Sequence, residues 1–309
     1  MRLKQFIKCV LQMCLIMTVM WIAPAQSEKT LRMAVNALPQ FLGHPFASTA
    51  RPTVFTTGAI YDGLVKFDGD GNLMPWLAVA WENVDEYTWR FTLRDGVTFS
   101  NGTPLTSDSI KAAVDWLTSD ASARDGVRGE IQFLRGVRII DGLTAEITTT
   151  TPVPNMPNYT GSLIMVDAPR FRELGRQGYA EEPVGTGPFK VENWGASKIT
   201  MTANKSSWHA PKVERLEIFA VPDISGRVQA LLSGRVDVAI GLGPDERLSV
   251  EAGGAVSKGW LDPSVTAITF VTVHGGPLAD VRVRQALNYA VNKQAIITNL
   301  FGGATTPAT

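Results

Sequence analysis

Several groups of residues in this chain have the types and spacing from which chemistry is built, and each is weighed first for that chemistry. Asp68, Asp70 and Asn72 alternate as cation ligands do. A calcium loop of the EF-hand kind needs Gly at its sixth position and Glu at its twelfth, where this chain has Leu73 and Val79, so the run reads as a hairpin turn. The chain has 3 histidines, His44, His209 and His274, and no two share a metal-ligand spacing. They read as single surface or loop residues, with His274 the one to watch because it follows an apolar run. Gly185-Thr186-Gly187-Pro188 has the glycines of a phosphate loop, but no Lys-Ser/Thr follows and Pro188 lacks an N–H. His274-Gly275-Gly276 resembles an oxyanion segment, yet G-x-S-x-G occurs nowhere, so a hydrolase would lack its nucleophile. The sequence thus offers no catalytic residue, no metal site and no cofactor motif, and an enzyme is not expected.

The elements that would position a binding site are clearer. Tyr87, Trp89, Phe91 and Leu93 alternate with Thr88, Arg90 and Thr92, the period of a half-buried strand. Asp95-Gly96 and Asn101-Gly102 then turn the chain. Leu64-Val65-Lys66-Phe67 enters the Asp68–Asn72 turn and leaves through Leu73-Met74, a hairpin. Thr106 or Ser107 caps a helix whose apolar face is Ile110, Ala113, Val114 and Leu117. Asp141-Gly142 joins strands over 137–140 and 143–148, with a type I′ turn expected. A strand over 30–35, a broken loop over 36–52 and a short helix over 53–61 precede these. After them, strand 214–221, helix 226–233 and a buried strand 236–240 form a parallel βαβ unit. A strand over 267–273 and a helix over 281–291 end the reading. Trp76, Trp81, Trp89, Trp116, Trp194, Trp208 and Trp260 are expected mainly in the core, since aromatic side chains supply buried area.

Composition sets the frame. The chain has 309 residues, 29 basic and 29 acidic, and no basic stripe, so nucleic acid is not an expected partner. Arg2, Lys4 and Lys8 precede an apolar run over 9–23 and the small-residue sites around Ala25 and Ser27. That is a secretory signal peptide, expected to be cleaved before Gln26 or Glu28. Both cysteines, Cys9 and Cys14, lie inside it, so the exported chain would carry no disulfide.

The stretch Asp62-Gly63-Leu64-Val65, Asp70-Gly71, Leu77-Ala78, Trp81, Thr88-Trp89, Leu93-Arg94-Asp95-Gly96-Val97, Asn101-Gly102 resembles the extracellular solute-binding proteins of peptide and nickel ABC transporters, family 5. The runs PVGTGPF at 183–189, RVQALLSGRVDVAI at 227–240 and VRVRQALNYAVNK at 281–293 are similar to the same family. The chain departs from it at Thr272, where the family has Asn, and at Gly276-Pro277-Leu278, where it has Pro-Pro-Phe.

The resemblance implies an α/β fold: a periplasmic binding protein-like architecture of two lobes with an inserted α+β domain, the second lobe truncated. Residues 28–60 and 179–266 would form the first lobe, 61–178 the insertion and 267–309 the start of the second lobe, after a signal at 1–27. It implies a monomeric periplasmic receptor that captures di- or oligopeptides and passes them to ABC permease subunits. A nickel or metal-chelate receptor is the alternative, suggested by FSNGTP and ALNYAVNK, with Arg124 a loose match to that branch's binding arginines. An inactive fragment is the third reading. Ligand contacts are expected from Ser48, Thr49 and Arg51 in the loop before the first helix, and from Phe270, Thr272 and His274 on the strand over 267–273.

Overall fold

A computed structural model describes residues 29–259, 267–303 and 305–307. The expected signal peptide, both cysteines and Trp260 lie outside the described residues. The chain opens with β1 (Thr30–Val35) and a proline-punctuated loop, then α1 (Arg51–Ile60) with Pro52 in its first turn, where a missing N–H costs nothing. The hairpin β2 (Val65–Phe67) and β3 (Leu73–Pro75) follows. Asp68 Oδ1 accepts the N–H groups of Asp70 and Asn72 at 2.9 and 2.8 Å, so the alternating acidic run closes a turn on itself.

Next come β4 (Ala78–Asp85), β5 (Thr88–Leu93), α2 (Ser107–Thr118), α3 (Gly126–Glu130), β6 (Leu134–Ile139) and β7 (Thr144–Thr149). The strands form an antiparallel sheet in the order β4-β5-β7-β6. The alternation read from β5 holds where it matters: Phe91 and Leu93 are buried, and α2 turns Ile110, Ala113, Val114 and Leu117 into the same core. The turn between β6 and β7 is not type I′. That turn needs positive φ at both central residues, and Gly142 is not among the positive-φ glycines. Asp141 instead accepts the Leu143 N–H at 2.8 Å with its side chain. Glu146 of β7 is buried between Arg90, 2.8 Å away, and Arg138.

α4 (Ala168–Glu181) leads back to a second sheet, and its Asp167 cap accepts from Arg170 N at 3.1 Å. That sheet comprises β1 with β8 (Phe189–Trp194), β9 (Lys198–Ala203), β10 (Arg215–Ala220) and, after α5 (Ile224–Leu232), β11 (Val238–Ala239). The order is β11-β1-β10-β9-β8. β1 runs parallel to both β10 and β11, so β10-α5-β11 is the parallel crossover expected from sequence, with β1 between its strands. Buried Arg227 of α5 clamps it, donating to the carbonyls of Val221, Pro222 and Gly241 at 2.7, 2.9 and 2.9 Å. The expected buried strand 236–240 is corrected: only Val238–Ala239 pairs, and Val238 is exposed because β11 is the sheet edge. One apolar cluster joins the two sheets, from Val35 and Phe46 through Phe91 and Ile147 to Ile199 and Ile218.

α6 (Pro244–Ala252), α7 (Val281–Ala290) and α8 (Lys293–Leu300) complete the described helices. No residue of α7 is buried, and Ile297 is the buried residue of α8. The strand expected over 267–273 is not formed: these residues are irregular, and no described strand runs beside them. A strand is a property of a pair, because its N–H and C=O groups need a ladder partner, and a β-branched, apolar run alone does not supply one. The tryptophan expectation is also corrected. Trp76, Trp81, Trp89, Trp116, Trp194 and Trp208 are all half-buried, packed on the margin of the core. The indole N–H explains this, since it needs an acceptor at the polar boundary: Trp89 Nε1 donates to the Val153 carbonyl at 3.1 Å and Trp116 Nε1 to Asp125 at 2.8 Å.

Candidate functional site

Two hollows on the surface of the described residues are candidates. The larger, about 500 Å³, lies between the end of α4 and β8, lined by charged residues such as Arg170, Glu182, Lys190 and Glu192. Arg170 is already engaged there, with Glu173 and Glu182 at 2.9 and 2.8 Å. The smaller, about 260 Å³, is a cleft with mixed walls. Ser48 and Thr49 enter it from the loop before α1, Val54 and Gly58 from α1, Lys66 from β2 and Trp76 from just past β3. Gly161, Ser162 and Ile164 close the opposite side. Apolar surface with a few convergent polar groups is the usual composition of a small-solute site.

The wall is built on Asp62. Its carboxylate is buried and takes Trp76 Nε1 at 2.6 Å, the Thr186 hydroxyl at 2.7 Å, Trp208 Nε1 at 3.3 Å and His209 Nε2 at 3.1 Å. Burial alone would push this carboxyl up. The hydrogen bond and charge of His209, with the bonds from Trp76 and Thr186, outweigh it and hold Asp62 below the ordinary carboxylate range. Trp76, Trp208 and His209 pack edge to face around it, with ring centroids 4.6–5.1 Å apart. The glycines of PVGTGPF have a mechanical reason. A Cβ on Gly185 would overlap the Ile60 carbonyl oxygen, and Gly187 donates its N–H to that same carbonyl at 2.9 Å. The segment therefore lies flat against the end of α1 and delivers Thr186 to Asp62. Beside it, Tyr61 Oη donates to the Gly43 carbonyl at 2.8 Å, and burial raises that phenol well above its ordinary value.

A second buried cluster braces the loop that carries Ser48 and Thr49. Asp125 accepts from Trp116 Nε1 at 2.8 Å and from Arg176 at 3.0 Å, with His44 Nε2 at 3.2 Å, close enough for an ion pair but off the line of a hydrogen bond. Burial works against the Asp125 charge. His44, Trp116 and Arg176 together hold its carboxyl below the ordinary range. Gly126 N donates to the Ala47 carbonyl at 2.9 Å, which pins the loop one residue before Ser48.

The histidine expectation is thereby corrected. His44 is buried, and His209 is paired with a carboxylate, while His274 is the exposed one. Sequence reading missed Asp62, Lys66 and Trp76 as wall residues. The signal available was their place in the matched stretch, not any chemical spacing. Of the sequence-predicted contacts, Ser48 and Thr49 line the cleft. Arg51 stands exposed at the first turn of α1, outside the lining. Phe270 is half-buried and Thr272 and His274 are exposed in the irregular segment, and none of the three lines this cleft.

With this geometry in view, comparison places the chain. Residues 72–309 match the family model "Bacterial extracellular solute-binding proteins, family 5 Middle". The chain is 28% identical over 297 residues to the nickel-binding periplasmic protein of Escherichia coli K12, covering 91% of this chain and 55% of that one. It is 26% identical over 303 residues to the glutathione-binding protein GsiB of Salmonella paratyphi A, covering 93% and 56%. The structure of Haemophilus influenzae OppA in complex with RPPGFSPFR superposes with a TM-score of 0.71 at 22% identity, covering 91% of this chain and 60% of that one. The fold is therefore that of the family's periplasmic binding proteins, and the chain spans about half the length of the curated relatives it matches. It belongs to the bacterial extracellular solute-binding proteins, family 5.

Proposed function

We propose that this protein is the extracytoplasmic receptor of an ABC importer, that it takes up small peptides, and that the cleft between Ser48–Thr49 and Lys66–Trp76 holds part of the solute. The observation that carries the reading is that cleft itself: an apolar hollow edged by hydroxyls, glycine backbone and one ammonium, on a chain of this family. Glycine backbone at 161, half-buried in the cleft lining, suits main-chain recognition of peptides, which tolerates varied side chains. A relative that binds glutathione, itself a peptide, points the same way.

In this reading the protein is periplasmic, released from a signal at 1–27, is not an enzyme, and works as a monomer with permease subunits. Residues 28–60 and 179–266 make the first lobe, 61–178 an inserted domain and 267–309 the start of a second lobe. The separation of the β4–β7 sheet from the β1-containing sheet supports that division. Arg51, Phe270, Thr272 and His274 then belong to the rim, where a second lobe closes over the solute.

The second reading, a nickel-chelate receptor, is favoured by the identity to the nickel-binding relative. No group of three or more His, Cys, Asp or Glu side chains able to hold a metal occurs among the described residues, so nickel would arrive already chelated. Calorimetry separates the two. Saturable heat with a di- to pentapeptide mixture, and none with Ni(II)–histidine, supports the first reading. The reverse supports the second, and silence with both contradicts both.

A further inference from the structure

We propose that Lys66 is the anion anchor of the cleft, so that the solute is a carboxylate-bearing molecule whose acid group draws Lys66 off the face of Trp76. The inference rests on the cleft being the solute site. It adds which end of the solute is recognised and by which atom.

Only two charged side chains, Asp62 and Lys66, line the cleft. They are not equivalent. Asp62 is 5% exposed and its two oxygens are engaged by Trp76, Thr186, Trp208 and His209. A solute amine would have to break that set to reach it. Lys66 is exposed, and no carboxylate among the described residues lies within ion-pair distance of its ammonium. What holds it is the ring of Trp76, 4.3 Å from Nζ to centroid. A cation over an indole at an exposed site contributes only about 0.5–1 kcal/mol, less than a hydrogen-bonded carboxylate offers. Lys66 is thus parked on a weak partner at the mouth of a cleft that contains no free counter-charge. Moving toward a carboxylate would uncover the Trp76 face for the apolar part of the same solute.

The neighbouring groups agree. Ser48, Thr49 and Ser162 are neutral hydroxyls, the Thr57 and Tyr61 hydroxyls already donate to the Thr53 and Gly43 carbonyls, and apart from Asp62 and Lys66 the remaining lining is apolar or glycine. Ser48 Oγ accepts the Ala50 N–H at 3.0 Å, which leaves its own hydroxyl hydrogen for an acceptor. Glu130 accepts the Ser162 hydroxyl at 3.2 Å but does not itself line the cleft. The cleft therefore discriminates on the solute's acid end and is indifferent to its amine.

The test uses the full chain and three probes: dialanine, its C-terminal amide, and N-acetyl-dialanine, followed by tryptophan emission and ligand-observed NMR. Dialanine and N-acetyl-dialanine are expected to bind alike, and the amide about tenfold more weakly. Lys66→Gln is expected to weaken both acids about tenfold and erase their advantage over the amide, while Lys66→Arg keeps it. Unfolding midpoints should be unchanged in both variants, because Lys66 is exposed. Equal binding of acid and amide by the parent chain overturns the proposal. So does an acid preference that survives Lys66→Gln, or a loss in that variant that is equal for acid and amide. If no probe binds the parent chain, the cleft reading falls and this proposal with it.

Discussion

Thr186 and Asp62 stand 124 residues apart in sequence and are joined by a buried hydrogen bond of 2.7 Å. Through it the PVGTGPF segment, where the chain returns to its five-stranded sheet, is fastened to the residue that positions Trp76. The cleft wall is therefore held from both sides of the molecule. Its shape depends on a carboxylate that no solute needs to touch.

Replacing Asp62 should show this in stability. Asp62→Asn keeps the volume but removes the carboxylate facing His209 and at least one acceptor, leaving buried donors short of a partner. The expected loss is about 2–3 kcal/mol, the upper part of the range for leaving a buried hydrogen-bonding group unsatisfied and below that for a fully buried ion pair, because His209 is partly exposed. Urea unfolding followed by tryptophan emission checks it, and a loss under about 0.5 kcal/mol would deny the node its role.

Two glycine substitutions separate crowding from backbone conformation. At Gly185 a Cβ meets the Ile60 carbonyl and stands 2.8 Å from Tyr61 Cδ1, so Gly185→Ala should cost about 3 kcal/mol or more. At Gly71, φ is 83° and nothing lies within 4 Å, so Gly71→Ala should cost only about 1 kcal/mol, from the left-handed backbone alone. Equal effects in thermal unfolding would mean that the close approach at Gly185 is not real.

Two of the buried carboxylates, those of the cleft wall and its brace, set an acid limit. Asp62 and Asp125 are both held below the ordinary carboxylate value in the folded protein. Below an unfolded pKa of about 3.9 the unfolded chain takes up protons that the folded chain refuses. Their contribution is therefore complete above that pH and is lost as pH falls through their lowered folded values. Melting temperature should be level in this respect from about pH 5 upward and fall steeply below about pH 4. Asp62→Asn with Asp125→Asn should start lower and fall less. A slope unchanged by the double substitution would assign the acid sensitivity elsewhere.

Much of this fold was legible in local pattern. Phe91 and Leu93 alternate into the core as their spacing implies, and Asp68 closes the turn that its neighbours suggested. What escaped was non-local or irregular. β8 carries Lys190, Glu192 and Asn193 and has a bulge between Val191 and Asn193, which breaks the two-residue period. α4 is broken at Gly175, φ 62°, into two short helical pieces, neither long enough to show a clear apolar period. His209 finds Asp62 147 residues away, a distance over which no spacing rule operates. Residues 267–273 are rich in β-branched and aromatic residues, yet pairing decides a strand.

The last helices offer a separate check. Tyr289 is 90% exposed, Leu300 67% and Val281 51%, and α7 has no buried residue. Few buried contacts mean a small free energy of local opening. Amides of α7 and α8 should exchange at least about a hundredfold faster than those of β5 and β10. Protection equal to the sheets would require a covering layer, formed for instance by self-association.

Where a solute binds is decided most directly by crystallography. A crystal structure of the protein soaked with dialanine is expected to show the peptide between Ser48–Thr49 and Trp76, its carboxylate about 3 Å from Lys66 Nζ. Peptide density in the hollow between α4 and β8, or on the exposed face of α7, with the cleft between Ser48 and Trp76 empty, would contradict it.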